Sequence, residues 1–294
     1  MPMPASELRA FLAHLRLKFQ LLIAPAAFLF GVVFSSVHNV GNVILQFFNI
    51  HILLLGGATA FNSYYDRDEG PVEGLSDPPP MARWMLYAAC ILQALGLILL
   101  ANGLAFRLLY LASILGFSFG YSHPAIRWKG RPIFSLLVVG LFGGVTPFLM
   151  GFLAAGGGDL GMPVVLAMTG IALVVVSMFP ITQAHQIAED RKRGDATFSA
   201  HYGITAIRRL FLYGYGIGIA LIAAGFLFAK ASLAPVFLAA GILSGLAMWS
   251  RVQRLNGTRQ DYDSIMRLKL ASALSLNLFL VTVIIARLAG WMNL

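Results

Sequence analysis

Two stretches concentrate the acidic residues of this chain, FNSYYDRDEG (61–70) and QAHQIAEDRKRGD (183–195). With Glu73 and Asp77 they hold all of the 12 Asp and Glu residues except Glu7, Asp159, Asp261 and Asp263. Asn62 and Asp66 are four apart, so on a helix both project from one face; Glu69 follows at the next i,i+3 position and Asp68 is directed away. An amide oxygen and carboxylates on one face make an oxygen-rich site suited to Mg²⁺, a hard cation that keeps several of its waters. In the second stretch Gln183, Gln186 and Asp190 share a face, Glu189 lies three from Gln186, and Arg191, Lys192 and Arg193 follow. A carboxylate-held metal flanked by Arg and Lys is a means of gripping a diphosphate: the ion neutralises phosphoryl oxygens and the basic side chains add charge-assisted hydrogen bonds. A solvated helix end would explain either stretch alone. Their recurrence at two helix mouths favours a site.

A third element, YSHPAIRWKGRP (121–132), is basic. Pro124 breaks the preceding helix, and alternation along an extended segment would turn Arg127, Lys129 and Arg131 to one side, facing an anion. Other candidates are plainer. His14, His38, His51, His123, His185 and His201 lack the spacing of zinc ligands. The runs GLFGG (140–144) and GYGIG (214–218) do not sit between a strand and a helix, as a nucleotide loop requires, and read as close helix packing. Cys90 is the single cysteine, so no intrachain disulfide forms.

The elements that must position these groups are membrane spans. Hydrophobic residues make up 59% of the 294 and charged residues 11%, against roughly 25% charged in an ordinary soluble domain. Nine segments are apolar over the ~20 residues a crossing needs: 19–37, 41–62, 82–103, 105–121, 133–154, 162–186, 204–228, 232–250 and 266–289. Barrel-type alternation is absent, so the fold class is an all-α bundle of nine transmembrane helices around a central cavity, a single polytopic domain over 1–294. Residues 5–18 read as a basic amphipathic helix on the membrane surface, without the pattern of a cleaved signal. With the amino terminus cytoplasmic, only Arg107, Lys230 and Arg287 of the 21 Lys and Arg fall on the far side, and both acidic stretches face the cytoplasm. Topology and an anionic ligand thus account for the net charge of +9 without a nucleic acid, and no obligate protein partner is evident.

These motifs together resemble the UbiA superfamily of intramembrane prenyltransferases. NSYYDRDEG is similar to its first motif, Asn-x-x-x-Asp-x-x-x-Asp; EDRKRGDATFSAHYG is similar to its second, with Gly194, Thr197 and Gly203 in the following signature; and YSHPAIRWKGRP resembles its Tyr-Ser-x-Pro-x-x-Arg-x-Lys segment. The resemblance implies Mg²⁺-dependent transfer of an isoprenyl group from a prenyl diphosphate to a lipid-soluble acceptor, aromatic or quinone-precursor in kind. It implies Asp66 and Asp190 as catalytic metal ligands, with Asn62, Glu69, Gln186 and Glu189 as further oxygen donors. Arg127, Lys129, Lys192 and Tyr121 would then contact the diphosphate, and aromatic side chains would line a prenyl tunnel and steady an allylic cation. Two positions depart from the pattern: Gly70 stands where the first motif carries its second Asp, and Gln186 where the second motif carries its first. A terpene cyclase of the same superfamily shares these features. A transporter is the alternative from another class, although its charges usually lie near the midplane. The Asp-Gly-x-x-Ala-Arg signature of CDP-alcohol phosphotransferases is missing.

Overall fold

A computed structural model of the chain describes residues 5–35 and 39–291. His38 and the end of the first expected span, 36–37, lie outside the described residues. Among the described residues, eight helices are long and apolar enough to cross a membrane: α3 (Val40–Asp66), α4 (Arg83–Leu100), α5 (Leu104–Ser122), α6 (Pro132–Ala154), α7 (Met162–Arg193), α8 (Phe198–Ala229), α9 (Leu233–Val252) and α10 (Arg259–Leu288). A pair bent by 41°, α1 (Ser6–Leu22) and α2 (Ala26–Val33), supplies the ninth crossing. The all-α, nine-span class holds.

Four helices outrun their apolar cores. α3 continues past residue 62 to Asp66, α7 past 186 to Arg193, α8 begins at Phe198 and α10 at Arg259. Hydropathy marks where the hydrocarbon ends, whereas the helix goes on wherever its polar turns find partners. Thr197 caps α8, its hydroxyl accepting from the Ala200 N–H at 3.2 Å. The amphipathic segment is likewise more embedded than its composition suggests. Arg16 adopts a left-handed conformation (φ 50°) that breaks the helix. Phe11 and Leu15 are buried, Phe11 packs on Trp84 at 5.4 Å between ring centroids, and the Trp84 indole donates to Glu7 at 2.6 Å.

Small residues bring the spans together. A methyl group on Gly170 would lie 2.6 Å from the Gly218 carbonyl oxygen, so α7 and α8 touch backbone to backbone there. Gly31 of α2 and Gly151 of α6 meet the opposite backbones at Phe148 and Phe28 in the same way. Phe28, Phe30, Phe148 and Phe226 fill the core around these crossings.

Residues 67–82 form a strap across the polar end of the bundle. Pro71 accepts from His185 of α7 at 2.8 Å, Val72 from the Tyr262 hydroxyl of α10 at 3.1 Å, and Pro79 from His14 of α1 at 2.7 Å. Glu73 in the same strap forms an ion pair with Lys269 of α10. Below the strap opens a cavity of ≈460 Å³.

Candidate active site

The first wall is the end of α3. Arg67 takes the left-handed conformation (φ 49°, ψ 49°) and stops the helix one residue after Asp66. Helical spacing therefore fails beyond that point, and the geometry differs from the sequence expectation. Asp68 faces the cavity, while Glu69 is exposed and engages only through its backbone N–H, which donates to Glu189 Oε1 at 3.2 Å. Asn62 remains on the cavity face and donates its amide N–H to Ser122 of α5 at 3.0 Å. Gly70 is hemmed in: a methyl group there would collide with the Arg259 guanidinium and lie 2.8 Å from Glu189 Oε2.

The second wall is the end of α7, where a turn at Gln183 and a short 3₁₀ segment (Ala184–Gln186) precede the final helical stretch Ile187–Arg193. Gln183, Gln186 and Asp190 all line the cavity. The Gln183 Oε1 is buried without a hydrogen-bond partner, a cost usually met by a ligand or water. Asp190 is held by the Thr197 hydroxyl at 2.9 Å and by Arg193 Nη2 at 3.0 Å.

The basic link between α5 and α6 is not extended. Arg127 is left-handed (φ 46°) and opens a 3₁₀ turn over Trp128–Gly130, which separates the three cations. Arg127 forks onto Asp195, with Nε and Nη2 each at 2.8 Å, while its Nη1 stands 3.9 Å from Asp66 Oδ1. Burial pushes the Asp195 carboxyl up, but the Arg127 fork, aided by Lys129 and Arg193, outweighs it and holds the group below the usual range. Lys129 enters the cavity and forms a hydrogen-bonded ion pair with Asp66. Arg131 instead lies over the Phe134 ring at 5.9 Å.

Of the residues singled out by sequence, Asn62, Asp66, Tyr121, Lys129, Gln186 and Asp190 share one cavity. Glu69, Glu189, Arg127 and Lys192 do not line it; Lys192 is exposed to the outside. The structure adds Asp68, Arg193, and the Glu73–Lys269 pair with Arg16 nearby. Lys269 carried a weak signal in the sequence, being a lysine within a span, 266–289, that also holds Arg267 and Arg287. Asp68 was legible only as a stand-in, with Glu69, for the acidic residue missing at Gly70, because its direction depends on the left-handed Arg67. Among the described residues no three His, Cys, Asp or Glu side chains gather into a preformed metal cage. Each carboxylate at the cavity's polar end faces a Lys or Arg instead, Asp66 with Lys129, and Asp68 and Asp190 with Arg193.

From this head the cavity runs inward between Phe30, Phe117, Phe179, Phe237 and Phe279, an aromatic throat reaching the core. Charged head and apolar throat together fit an amphipathic molecule.

The comparisons with known proteins agree with this architecture. A UbiA homologue from Archaeoglobus fulgidus, solved with DMAPP and Mg²⁺, is similar at a TM-score of 0.68 and 20% identity, covering 90% of this chain and 98% of its own. The same homologue with GPP and Mg²⁺ gives 0.68 and 20%, over 91% and 99%. A structure concerning digeranylgeranylglyceryl phosphate synthase gives 0.62 and 17%, over 95% and 99%. No match was found among curated protein sequences. The UbiA prenyltransferase family model matches residues 22–273, nearly the whole membrane domain, and the chain belongs to that family.

Proposed function

We propose that this protein transfers an isoprenyl group from a prenyl diphosphate, with Mg²⁺, to a membrane-borne acceptor of aromatic or quinone-precursor type. The observation that carries the reading is the cavity itself: Asp66, Asp68, Asp190, Lys129 and Arg193 at one end, aromatic rings at the other. Solved relatives in the family were bound to DMAPP or GPP together with Mg²⁺, which supports the same ligand class here.

The donor set fits the ion. Asp66, Asp190 and the amide groups of Asn62, Gln183 and Gln186 are hard oxygen donors around one space, and the Gln183 oxygen is unpartnered. Mg²⁺ is commonly held by one or two carboxylates plus substrate phosphates rather than by an all-protein cage, so the lack of a three-carboxylate cluster suits it. Asp66 and Asp190 would hold the ion, with Asn62 and Gln186 beside them. Bound there, Mg²⁺ neutralises charge on the phosphoryl oxygens.

The side chains supply the rest. Lys129 and Arg193 line the head, and Lys129 can add charge-assisted hydrogen bonds to a diphosphate, stabilising it as a leaving group. The allylic C–O bond then breaks and its electron pair leaves with the diphosphate. Tyr121, Phe117 and Phe179 line the adjoining wall, where ring faces attract the developing cation. The throat keeps water away until an electron-rich acceptor captures the carbocation and releases a proton. Membranes containing the protein, incubated with Mg²⁺, labelled prenyl diphosphates of several lengths and a panel of phenolic, quinone and polyol acceptors, test this directly. A prenylated acceptor in the lipid extract is expected, and it should vanish in the Asp66→Asn, Asp190→Asn double variant. Unaltered diphosphate-dependent turnover in that variant would overturn the assignment.

A further inference from the structure

The two acidic stretches meet across one side chain. Arg193 Nη1 lies 2.8 Å from Asp68 Oδ1 and Nη2 lies 3.0 Å from Asp190 Oδ1. The same Nη1 donates to the Asp66 carbonyl oxygen at 3.2 Å and stands 3.5 Å from Glu189 Oε1. Asp68 belongs to the turn after α3 and Asp190 to α7, so the guanidinium occupies the position a cation would need to bridge the two walls. Its planar fork suits that task, because each arm can serve a different carboxylate.

The charge on the cavity wall tells the same story. The carboxylates lining it are Asp66, Asp68, Glu73 and Asp190, and the cations are Arg16, Lys129, Arg193 and Lys269, one for one. The remaining oxygen donors on the two walls, Asn62, Gln183 and Gln186, add no charge. An Mg²⁺ ion bridging Asp68 and Asp190 would stand about 2.0–2.1 Å from each oxygen, in the space where the guanidinium now lies. It would also set two further positive charges against a fixed one.

We propose that Arg193 is a built-in bridging cation that takes the place of a divalent ion between Asp68 and Asp190, so that the site binds a single Mg²⁺ with its diphosphate. This rests on the reading of the cavity as a prenyl diphosphate site. Arg193 is a positioning residue in this scheme: it joins the two walls through one oxygen of Asp190 and leaves Asp66 and Asp190, with their neighbouring amides, to hold the one ion.

The test counts ions directly. Purified protein is equilibrated with Mn²⁺ and geranyl thiolodiphosphate, whose C–S bond resists ionisation. Bound Mn²⁺ is then counted by electron paramagnetic resonance after gel filtration. One ion per chain is expected for the wild type and for Arg193→Lys. Two are expected for Arg193→Gln, which frees both carboxylates, and turnover in that variant should become second order in Mg²⁺ where the wild type is first order. Two ions in the wild type overturn the inference, as does any count other than two in folded Arg193→Gln. If that variant fails to fold, the wild-type count decides alone. No Mn²⁺ retained by the wild type with the probe overturns the diphosphate reading itself, and the inference with it.

Discussion

Asp66 and Lys129 face each other with side chains only 7% exposed, and removing either leaves the other with a counter-ion no nearer than 3.9 Å, Arg127 for Asp66 and Asp195 for Lys129. Loss of one partner of such a buried pair costs about 3–5 kcal/mol. Lys129→Met should therefore lower the melting temperature in detergent and raise KM for the diphosphate, whereas Asp66→Asn keeps a hydrogen-bond partner and should fold while losing turnover. For the neutral oxygen donors the expectation is milder: Gln186→Ala should reduce metal affinity or rate by about 10–100-fold, read from Mg²⁺ titration of activity. Glu73 gives a pH signature. Burial pushes its carboxyl up, but Lys269 and Arg16 outweigh that and hold it below the ordinary 4.5. The ionised pair thus contributes stability that is complete above that value and is lost as pH falls through the lower folded-state value. Melting temperatures recorded from pH 6 downward should fall less steeply for Glu73→Gln than for the wild type. At this scale the fourfold spacing of Asn62 with Asp66 and of Gln186 with Asp190 was legible in the sequence, and all four line the cavity. It misplaced Asp68 and Glu69, because one left-handed residue ends the spacing rule.

The elements owe their positions to glycines and caps more than to hydropathy. Gly203 bends the start of α8 at φ 72°, ψ −175°, a conformation nearly reserved for glycine. A methyl group there meets nothing within 4 Å, so only backbone strain opposes it. Gly203→Ala should cost about 1–3 kcal/mol, measured as a lower detergent melting temperature. Span count and order were readable from apolar length alone. The helical extensions of α3, α7, α8 and α10 were not, since the residues that stabilise their polar turns come from distant parts of the chain, as Arg193 does for the end of α3. The basic link failed as an extended strand for a related reason. Its 3₁₀ turn sets Arg127 and Lys129 on the shared carboxylates Asp66 and Asp195, while Arg131 lies over Phe134.

The whole molecule sets its charges to one end, with Arg107, Lys230 and Arg287 as the basic exceptions. We propose on the positive-inside rule that the cavity head faces the cytoplasm, and labelling tests it. Lys192→Cys, exposed beside that head, should react with a membrane-impermeant thiol reagent in inverted vesicles and resist it in intact cells, while Lys230→Cys shows the reverse. Cys90 must first be replaced so that the label is unambiguous. The strap over residues 67–82 bears on the same face in another way. It is moored to α1, α7 and α10 at once, through backbone carbonyls. A carbocation surrenders to the first nucleophile it meets, and an aqueous leak would turn donor into a worthless prenyl alcohol. On the proposed reading, a roof tied to three helices would govern fidelity rather than speed: the fraction of each donor molecule that ends on its intended recipient instead of on water.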